Sequence, residues 1–306
     1  MGKFILKRIF LETLPSLLVI ITVTFFLIRL APGGPFSSEK QISAEVLEQL
    51  NSHYGMDKPL FAQYFSYLLN ICKGDFGPSF KYPGRTVTEL ISESFPVSLE
   101  LGLYALIFAI LTGILAGVVA ALKPGSFMDY FTMSVSMAGI CIPAFVLGPL
   151  LVLVFSLKFG WVNVSGWNTF SDRILPSITL GMMYVAYIAR LTRGGMLETM
   201  VQDFIYTARS KGLSETAVIF KHALRGALLP VISFMGPAAA GMISGSFVVE
   251  TIFSIPGLGR FFVTAAFNRD YTMILGTVIF YAIIIIIFNT LVDIIQTILN
   301  PRLRNY

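Results

Sequence analysis

Charged residues are scarce in this sequence. Lys, Arg, Asp and Glu make up 13% of its 306 residues, whereas ordinary soluble domains contain about 25%. Hydrophobic residues make up 55%, and the mean hydropathy is +0.77. A soluble fold of this composition would expose too much apolar surface. The composition therefore excludes an ordinary soluble protein and predicts an integral membrane protein.

Cysteine and histidine are also rare, and this limits the possible chemistry. Two cysteines, Cys72 and Cys141, are too few for a disulfide framework or a cysteine-based metal site. The two histidines, His53 and His222, fall on opposite sides of the membrane in the topology predicted below. The only Gly-Lys dipeptide is Gly2-Lys3, which is not a phosphate-binding P-loop. We predict no catalytic residue, metal site or cofactor in this chain.

Six apolar segments are long enough to cross a bilayer, which takes about 20 residues. They lie near 9–30, 97–122, 130–157, 174–192, 226–249 and 273–296. Strand-type alternation is absent, so the spans are predicted to be helices. The first is too long for the apolar part of a signal peptide and is expected to remain as an anchor. The predicted fold class is an all-α polytopic membrane protein with six transmembrane helices.

Basic residues predict how the spans are oriented. The net charge is +5, and clusters of Lys and Arg lie before the first span, within 190–225 and at the end of the chain. An even number of spans puts these clusters on one side, which the positive-inside rule makes cytoplasmic. Both termini and the 190–225 segment are therefore predicted to be cytoplasmic. The net charge is accounted for by these loops, and we predict no nucleic-acid partner.

The topology divides the chain into three predicted regions. Residues 1–96 contain the first span and a long external segment, 97–297 form a five-helix core that carries the 190–225 loop, and 298–306 form a cytoplasmic tail. In the external segment, Pro59 to Gly74 has apolar residues at helical spacing, and a shorter helix is predicted near 44–54. Two roles stay open for these helices, packing against the spans or docking an external partner.

Local signals refine these helices. Thr86-Val-Thr-Glu89 fits a capping box and predicts a third external helix that leads into the second span.

Glycine pairs one turn apart, Gly113 with Gly117 and Gly241 with Gly245, allow close helix packing. Prolines are predicted to kink the third and fifth spans. They are Pro143, Pro149, Pro230 and Pro237.

Carboxylates are predicted to lie near the ends of the spans and not at their centres. These residues are Glu12, Glu100, Glu250 and Asp293. A transporter driven by protons or sodium usually keeps polar or ionisable groups near the bilayer centre. The pattern weakens that alternative, although sodium can also be held by carbonyl and hydroxyl oxygens.

The 190–225 segment, which we call the cytoplasmic knob, has an ordered pattern. Met196, Met200, Phe204 and Ala208 recur every four residues, and Gly212 then interrupts the helical pattern. Ser214 offers an N-cap for a second helix, and Gly212 is expected to have a positive φ angle. The knob is predicted to be two short helices that fit a partner; an ordinary positive-inside loop is the alternative.

One face of the fifth span is a candidate lining for a solute path. It carries small and flexible side chains at spacings of four, three and four. These residues are Met235, Ala239, Met242 and Ser246. Packing against another helix of the bundle is an equally weighted alternative.

Four sequence blocks resemble one family of membrane proteins. The run YTARSKGLSETAVIFKHALRGALLP, at 206–230, is similar to the cytoplasmic coupling loop of ABC importer permeases of the peptide and nickel branch. GSFVVETIFSIPGLG, at 245–259, resembles the same branch. RLAPGGPF and GDFGPSFKY, at 29–36 and 74–82, resemble most closely the first permease subunit of oligopeptide importers. The similarity covers essentially the whole chain.

The resemblance implies a type I ABC importer permease in the bacterial inner membrane. Such a subunit pairs with a second, similar permease, with two ATPase subunits that bind ATP and Mg, and with an external solute-binding protein that delivers a peptide. The residues that would contact an ATPase are Tyr206, Thr207, Ala208, Arg209, Lys211, Gly212 and Leu213. A secondary transporter of small solutes is the alternative function, and a membrane scaffold without transport is a third.

Overall fold

Helices make up the regular structure of the described chain. The computed structural model describes residues 13–30, 49, 52, 55–244 and 246–299, without the side chains of 296–299. The predicted short helix near 44–54 lies almost wholly outside these residues. The basic clusters at the two ends of the chain also lie outside them.

The helices follow one another with short connections. Thirteen α-helices are present in the described ranges: α1 Leu14–Leu30, α2 Leu60–Cys72, α3 Val87–Leu122, α4 Phe127–Cys141, α5 Ala144–Leu151, α6 Ser171–Met200, α7 Asp203–Ser210, α8 Glu215–Ala217, α9 Leu224–Ala227, α10 Leu229–Ser244, α11 Phe247–Ile252, α12 Leu258–Asn268 and α13 Tyr271–Leu299. The π-helix Val152–Lys158 continues α5, and the π-helix Val218–Ala223 connects α8 to α9.

The chain forms two compact units. The first contains the described residues up to Val97 together with Pro256–Ile286, and the second contains Ser98–Ile255 and the described residues from Ile287 onward. The regions predicted from the sequence follow topology, whereas these units are defined by compactness. The first unit includes 256–286 of the predicted 97–297 core.

Apolar helices occupy all six predicted spans. Four are long enough to cross a membrane, namely Val87–Leu122, Ser171–Met200, Leu229–Ile252 and Tyr271–Ile295. The α1 helix is apolar but has 17 described residues, and the predicted start of its span at residue 9 lies outside the described range. The third span is a pair of helices bent by 112°. The described residues therefore contain four spans, or five if the bent pair counts as one, and α1 lies at the position of the first predicted span. The third predicted span is not a straight helix.

Pro143 explains this bend. We predict a kink at this residue, whereas the helix in fact ends before it. Ile142 is extended, with φ −95° and ψ 113°, because the ring of a following proline disfavours the helical conformation. Pro143 then stands as the N-cap of α5. The result is two separate helices joined at a sharp corner.

Pro230 follows a break in the fifth span, since α9 ends at Ala227 and α10 begins at Leu229. It is the second residue of α10, where the missing N–H would have no partner within the helix. Pro237 lies inside α10. The proline signal therefore marks a helix start in one case and an interior position in the other.

The predicted capping box is confirmed at the start of α3. The backbone N–H of Thr86 donates to Glu89 Oε2 at 3.1 Å, and the N–H of Glu89 donates to Thr86 Oγ1 at 3.2 Å. The helix then continues without a break to Leu122. The third external helix and the second span are therefore one element.

Glycine positions let α6 pack closely against its neighbours in the second unit. A Cβ atom at Gly117 would lie 2.5 Å from the carbonyl oxygen of Ala189, and one at Gly113 would lie 2.8 Å from Ile188. Gly139 of α4 has a similarly close neighbour in Met182. The predicted small-residue packing is confirmed for the first glycine pair. In the second pair Gly241 packs against the Tyr184 hydroxyl, and Gly245 lies outside the described residues.

Candidate functional site

The knob at 190–225, predicted to be cytoplasmic, begins with the end of a long helix. The fourth span is predicted to end near residue 192, but α6 continues to Met200. Val201 and Gln202 then leave the helical conformation, and α7 begins at Asp203. The first part of the knob is therefore a rigid extension of a membrane helix.

Gly212 ends α7 with the backbone geometry that the sequence predicts. Its φ angle is +75°. The N–H of Leu213 donates to the carbonyl of Ala208 at 3.3 Å, and the N–H of Gly212 donates to that of Arg209 at 2.9 Å. These two bonds form a Schellman motif, in which glycine is favoured because its conformation is left-handed. A Cβ atom at Gly212 would meet nothing within 4 Å, so conformational strain is the direct cost of a side chain.

Two polar contacts fix the chain after Gly212. The Ser214 hydroxyl accepts a hydrogen bond from the N–H of Ala217 at 3.4 Å, which confirms the predicted N-cap. Arg209 donates to both carboxylate oxygens of Glu215, at 2.9 and 3.2 Å. This hydrogen-bonded ion pair raises the pKa of the Arg209 guanidinium. The turn at 210–214 is therefore closed by an ion pair between its two flanks.

The inner face of the knob is an apolar core shared with two membrane helices. Ile205 and Ala208 of α7 are buried together with Val218. The other buried members of this cluster, from α3, α6 and the 223–227 segment, are Val118, Ala121, Met196, Ala223 and Ala227. The knob is thus packed directly onto the ends of α3 and α6.

The register of α7 differs from the predicted one. Phe204 is expected to share a face with Met196 and Ala208, but it is exposed. A new helix begins after the break at Val201 and Gln202, and its buried residues are Ile205 and Ala208, three positions apart. Ala208 is buried, so it supports the surface and is not available for direct contact with a partner.

The outer face of the knob combines aromatic, aliphatic and basic side chains. Four large side chains there are exposed: Phe204, Tyr206, Leu213 and Phe220. Thr207, Lys211 and Gly212 are also exposed, and Arg209 is partly exposed. Six of the seven predicted contact residues therefore lie at the surface. Phe204 and Phe220 are exposed beside them; Phe204 is the second residue of α7, and Phe220 lies within the π-helix Val218–Ala223.

The candidate path residues are mostly inside the chain. Ala239 and Met242 of α10 are buried, as is Ser246, and Met235 is partly exposed. The exposed side of α10 carries Ser233 and Pro237 instead. This burial favours the packing alternative for Ala239, Met242 and Ser246.

Comparison with known proteins identifies the family. The family model described as "Binding-protein-dependent transport system inner membrane component" matches residues 113–305, and the model for the N-terminal part of such components matches residues 1–102. The chain belongs to this family. It is a multi-pass inner-membrane permease, a non-catalytic component of a multi-subunit transport system.

Full-length relatives support this assignment. The permease is 49% identical over 306 residues to the oligopeptide transport system permease protein OppB of Haemophilus influenzae, covering 99% of this chain and 100% of the relative. It is 47% identical to the OppB protein of Salmonella typhimurium with the same coverage. It is also 42% identical over 304 residues to the dipeptide transport system permease protein DppB of Bacillus subtilis, covering 99% and 98%.

Solved structures confirm the fold. An inward-facing MetNI methionine ABC transporter matches with a TM-score of 0.58 and 15% identity, over 69% of the permease and 96% of that chain. A further match is an amino acid ABC transporter crystallised with histidines, with a TM-score of 0.53 and 18% identity, over 68% and 94%. The permease therefore has the type I ABC importer fold that the resemblance implies.

Carboxylates in the spans of the permease are engaged with other side chains. Asp129 accepts two hydrogen bonds from Arg193, both 2.7 Å long. Glu100 accepts one from Arg173 at 2.7 Å and another from the Trp167 indole at 2.9 Å. These pairs join α4 to α6 and α3 to α6. These carboxylates therefore serve as contacts between helices.

Glu250 of the permease lies in a third polar cluster that the sequence does not reveal. Its carboxylate is fully buried and accepts hydrogen bonds from the hydroxyls of Ser98, at 2.7 Å, and Ser246, at 2.5 Å. This contact ties α11 to α3. Ser98 is 152 residues away in the chain, and no local pattern links the two residues.

Proposed function

We propose that this permease is the first transmembrane subunit of an ATP-driven oligopeptide importer. The names of its full-length relatives support this assignment, because oligopeptide permeases reach 49% identity with it. In this proposal an external solute-binding protein delivers the peptide, and a second, homologous permease completes the path. The chain itself binds neither ATP nor Mg; two cytoplasmic ATPase subunits bind them.

The cytoplasmic knob couples this permease to one ATPase subunit. The observation that carries the proposal is its two-sided construction. Aromatic side chains, typical anchors of protein interfaces, point outward at Tyr206 and Phe220, while Ile205 packs into the ends of the spans. Tyr206, Thr207, Arg209, Lys211, Gly212 and Leu213 form the contact surface, and Ala208 supports it from within.

The inner packing explains how motion would be transmitted. A force on the outer face of the knob acts on a close-packed cluster that includes Val118 of α3 and Met196 of α6. Because such interiors resist compression, the displacement moves these helices with the knob. Closing of the ATPases on ATP would in this way switch access to the path by rigid-body motion.

The path itself would be lined by the side of α10 that other residues of this chain do not cover. Ser233 and Pro237 are exposed there, and Met235 is partly exposed. These residues replace Ala239, Met242 and Ser246 as the proposed lining. The second permease subunit would supply the other half.

Gly212→Val tests the coupling role. A side chain at φ +75° costs on the order of 1 kcal/mol, which distorts the outer face without unfolding the spans. We expect normal membrane assembly, with peptide uptake and ligand-stimulated ATP hydrolysis lowered together. Both are measured with the complex reconstituted into vesicles.

Gly84→Val is the matched control. Gly84 has φ +76°, and a Cβ atom there would also meet nothing within 4 Å, but this glycine lies outside the knob. We expect the variant to keep both activities. Wild-type uptake and hydrolysis in the Gly212 variant would refute the coupling role, and uptake that persists without ATP but needs an ion gradient would refute the importer assignment.

A further inference from the structure

The α2 helix carries no charge and is mostly apolar. Its sequence, LFAQYFSYLLNIC, contains no charged residue. The structure confirms the helix predicted between Pro59 and Gly74. The helix's uncharged polar residues Gln63, Ser66 and Asn70 lie together on one side, as the predicted helical spacing of apolar residues implies. The apolar residues divide into a buried and an exposed group. Unlike the polar side of an ordinary surface helix, that of α2 contains no charged residue.

The buried side of α2 packs against two membrane helices in the first unit. Tyr64 and Tyr67 form a cluster with Phe25 of α1 and with Leu275 and Ile279 of α13. The rings of Tyr64 and Phe25 are 5.3 Å apart in an edge-to-face arrangement. This packing answers the question left open by the sequence, since α2 lies against the spans.

The contact positions lie within the apolar part of the spans. Leu275 and Ile279 are about one and two turns inside the apolar span Tyr271–Ile295, which corresponds to about 6 and 12 Å along the helix. On α1, the Thr22 hydroxyl is 2.7 Å from that of Tyr64, about two turns before the helix ends at Leu30. The α2 helix therefore packs alongside the spans and does not lie beyond their ends.

The other side of α2 is exposed and strongly apolar. Phe61, Phe65 and Leu69 are 69%, 61% and 64% exposed, and their spacing of four residues places them in one row. Phe26 of α1 contacts Phe61, with ring centroids 6.1 Å apart. Exposed side chains of α1, such as Val23 and Leu27, have the same apolar character. The row therefore continues the lipid-facing surface of α1.

We propose that α2 is embedded in the lipid leaflet on its side of the membrane, with Phe61, Phe65 and Leu69 covered by acyl chains. Charged residues stand only outside the helix, with Asp57 and Lys58 before it and Lys73 and Asp75 after it. An amphipathic helix with large apolar side chains on one face can bury that face at the boundary of headgroups and acyl chains. The continuity of this face with the exposed apolar surface of α1 favours lipid as its occupant.

Spin-label accessibility tests the location of α2. Cys72 and Cys141 are replaced by Ser, and a nitroxide is attached at Phe65→Cys or, in a second variant, at Leu69→Cys. The full-length permease is purified with its partner subunits and reconstituted into phospholipid vesicles. Molecular oxygen, which concentrates in the acyl chains, and a water-soluble chromium complex serve as relaxation agents. Val23→Cys on α1 is the lipid control, and Lys81→Cys, in an exposed loop position, is the water control.

The proposal predicts the accessibility pattern of the lipid control. At both α2 positions, oxygen should enhance relaxation several-fold more than at Lys81→Cys, and the chromium complex several-fold less. Strong relaxation by the chromium complex would place the face in water and overturn the proposal. Protection from both agents would show that protein covers the face and would also overturn it. Neither result depends on the cargo or on ATPase coupling.

Discussion

At the scale of single residues, Glu250 illustrates how a buried carboxylate can be a structural contact. Its two serine partners come from α3 and from the residue before α11. Burying such a group is costly unless it is hydrogen-bonded. Removing the acceptor takes one buried hydrogen bond from each of Ser98 and Ser246, at about 1 kcal/mol for a typical hydrogen bond.

Glu250→Leu is therefore expected to destabilise the permease, whereas Glu250→Gln should be close to wild type because an amide oxygen still accepts hydrogen bonds. The measurement is the thermal unfolding midpoint of the detergent-solubilised complex. Glu198→Leu is the control, since Glu198 is an exposed carboxylate in the same unit. Equal midpoints for Glu250→Leu and Glu198→Leu would show that the cluster contributes no stability.

At the scale of elements, the knob shows how two non-helical residues change a surface. Val201 and Gln202 separate α6 from α7, and α7 buries Ile205 while Phe204 is exposed. The apolar spacing of four residues up to Ala208 continues across this break in the sequence. The spacing alone therefore did not predict which side chains of α7 lie at the surface.

Phe220→Ser is expected to weaken ATPase binding. An exposed aromatic side chain at the centre of an interface commonly contributes more than about 1 kcal/mol, which corresponds to a several-fold loss of affinity. The measurement is titration of the purified ATPase onto the reconstituted permease. Phe267→Ser, at an exposed phenylalanine of α12 in the first unit, is the control. Unchanged affinity in the Phe220 variant would remove this residue from the proposed contact surface.

At the scale of the whole molecule, the orientation of the spans remains to be measured. The basic clusters predict that the knob is cytoplasmic and that the segment before α3 is external. In a background without Cys72 and Cys141, an impermeant thiol reagent added to intact cells should label Lys81→Cys and leave Lys211→Cys unlabelled. Both lysines are exposed in the chain. Labelling of the residue at 211 from outside would reverse the topology.

Signals that act over a few residues were sufficient to predict several elements. The capping box at Thr86, the left-handed glycine at 212 and the N-cap at Ser214 all depend on hydrogen bonds between close neighbours in the chain. The apolar segments were located by composition and length. The family could be inferred from four ordered blocks because they extend over most of the chain.

The tertiary structure decided which side of each apolar helix meets protein. In α10 it buries Ala239 and Met242, and in α2 it buries Tyr64 and leaves Phe65 exposed. The sequence could not separate these cases, because lipid tails are as apolar as a protein interior and both sides of such a helix have similar composition. The same holds for Glu250 and Ser98, whose contact depends on the packing of distant helices. The sequence by itself thus determined the class, the elements and their caps, while packing between helices determined the buried faces, the corner after α4 and the register of the knob.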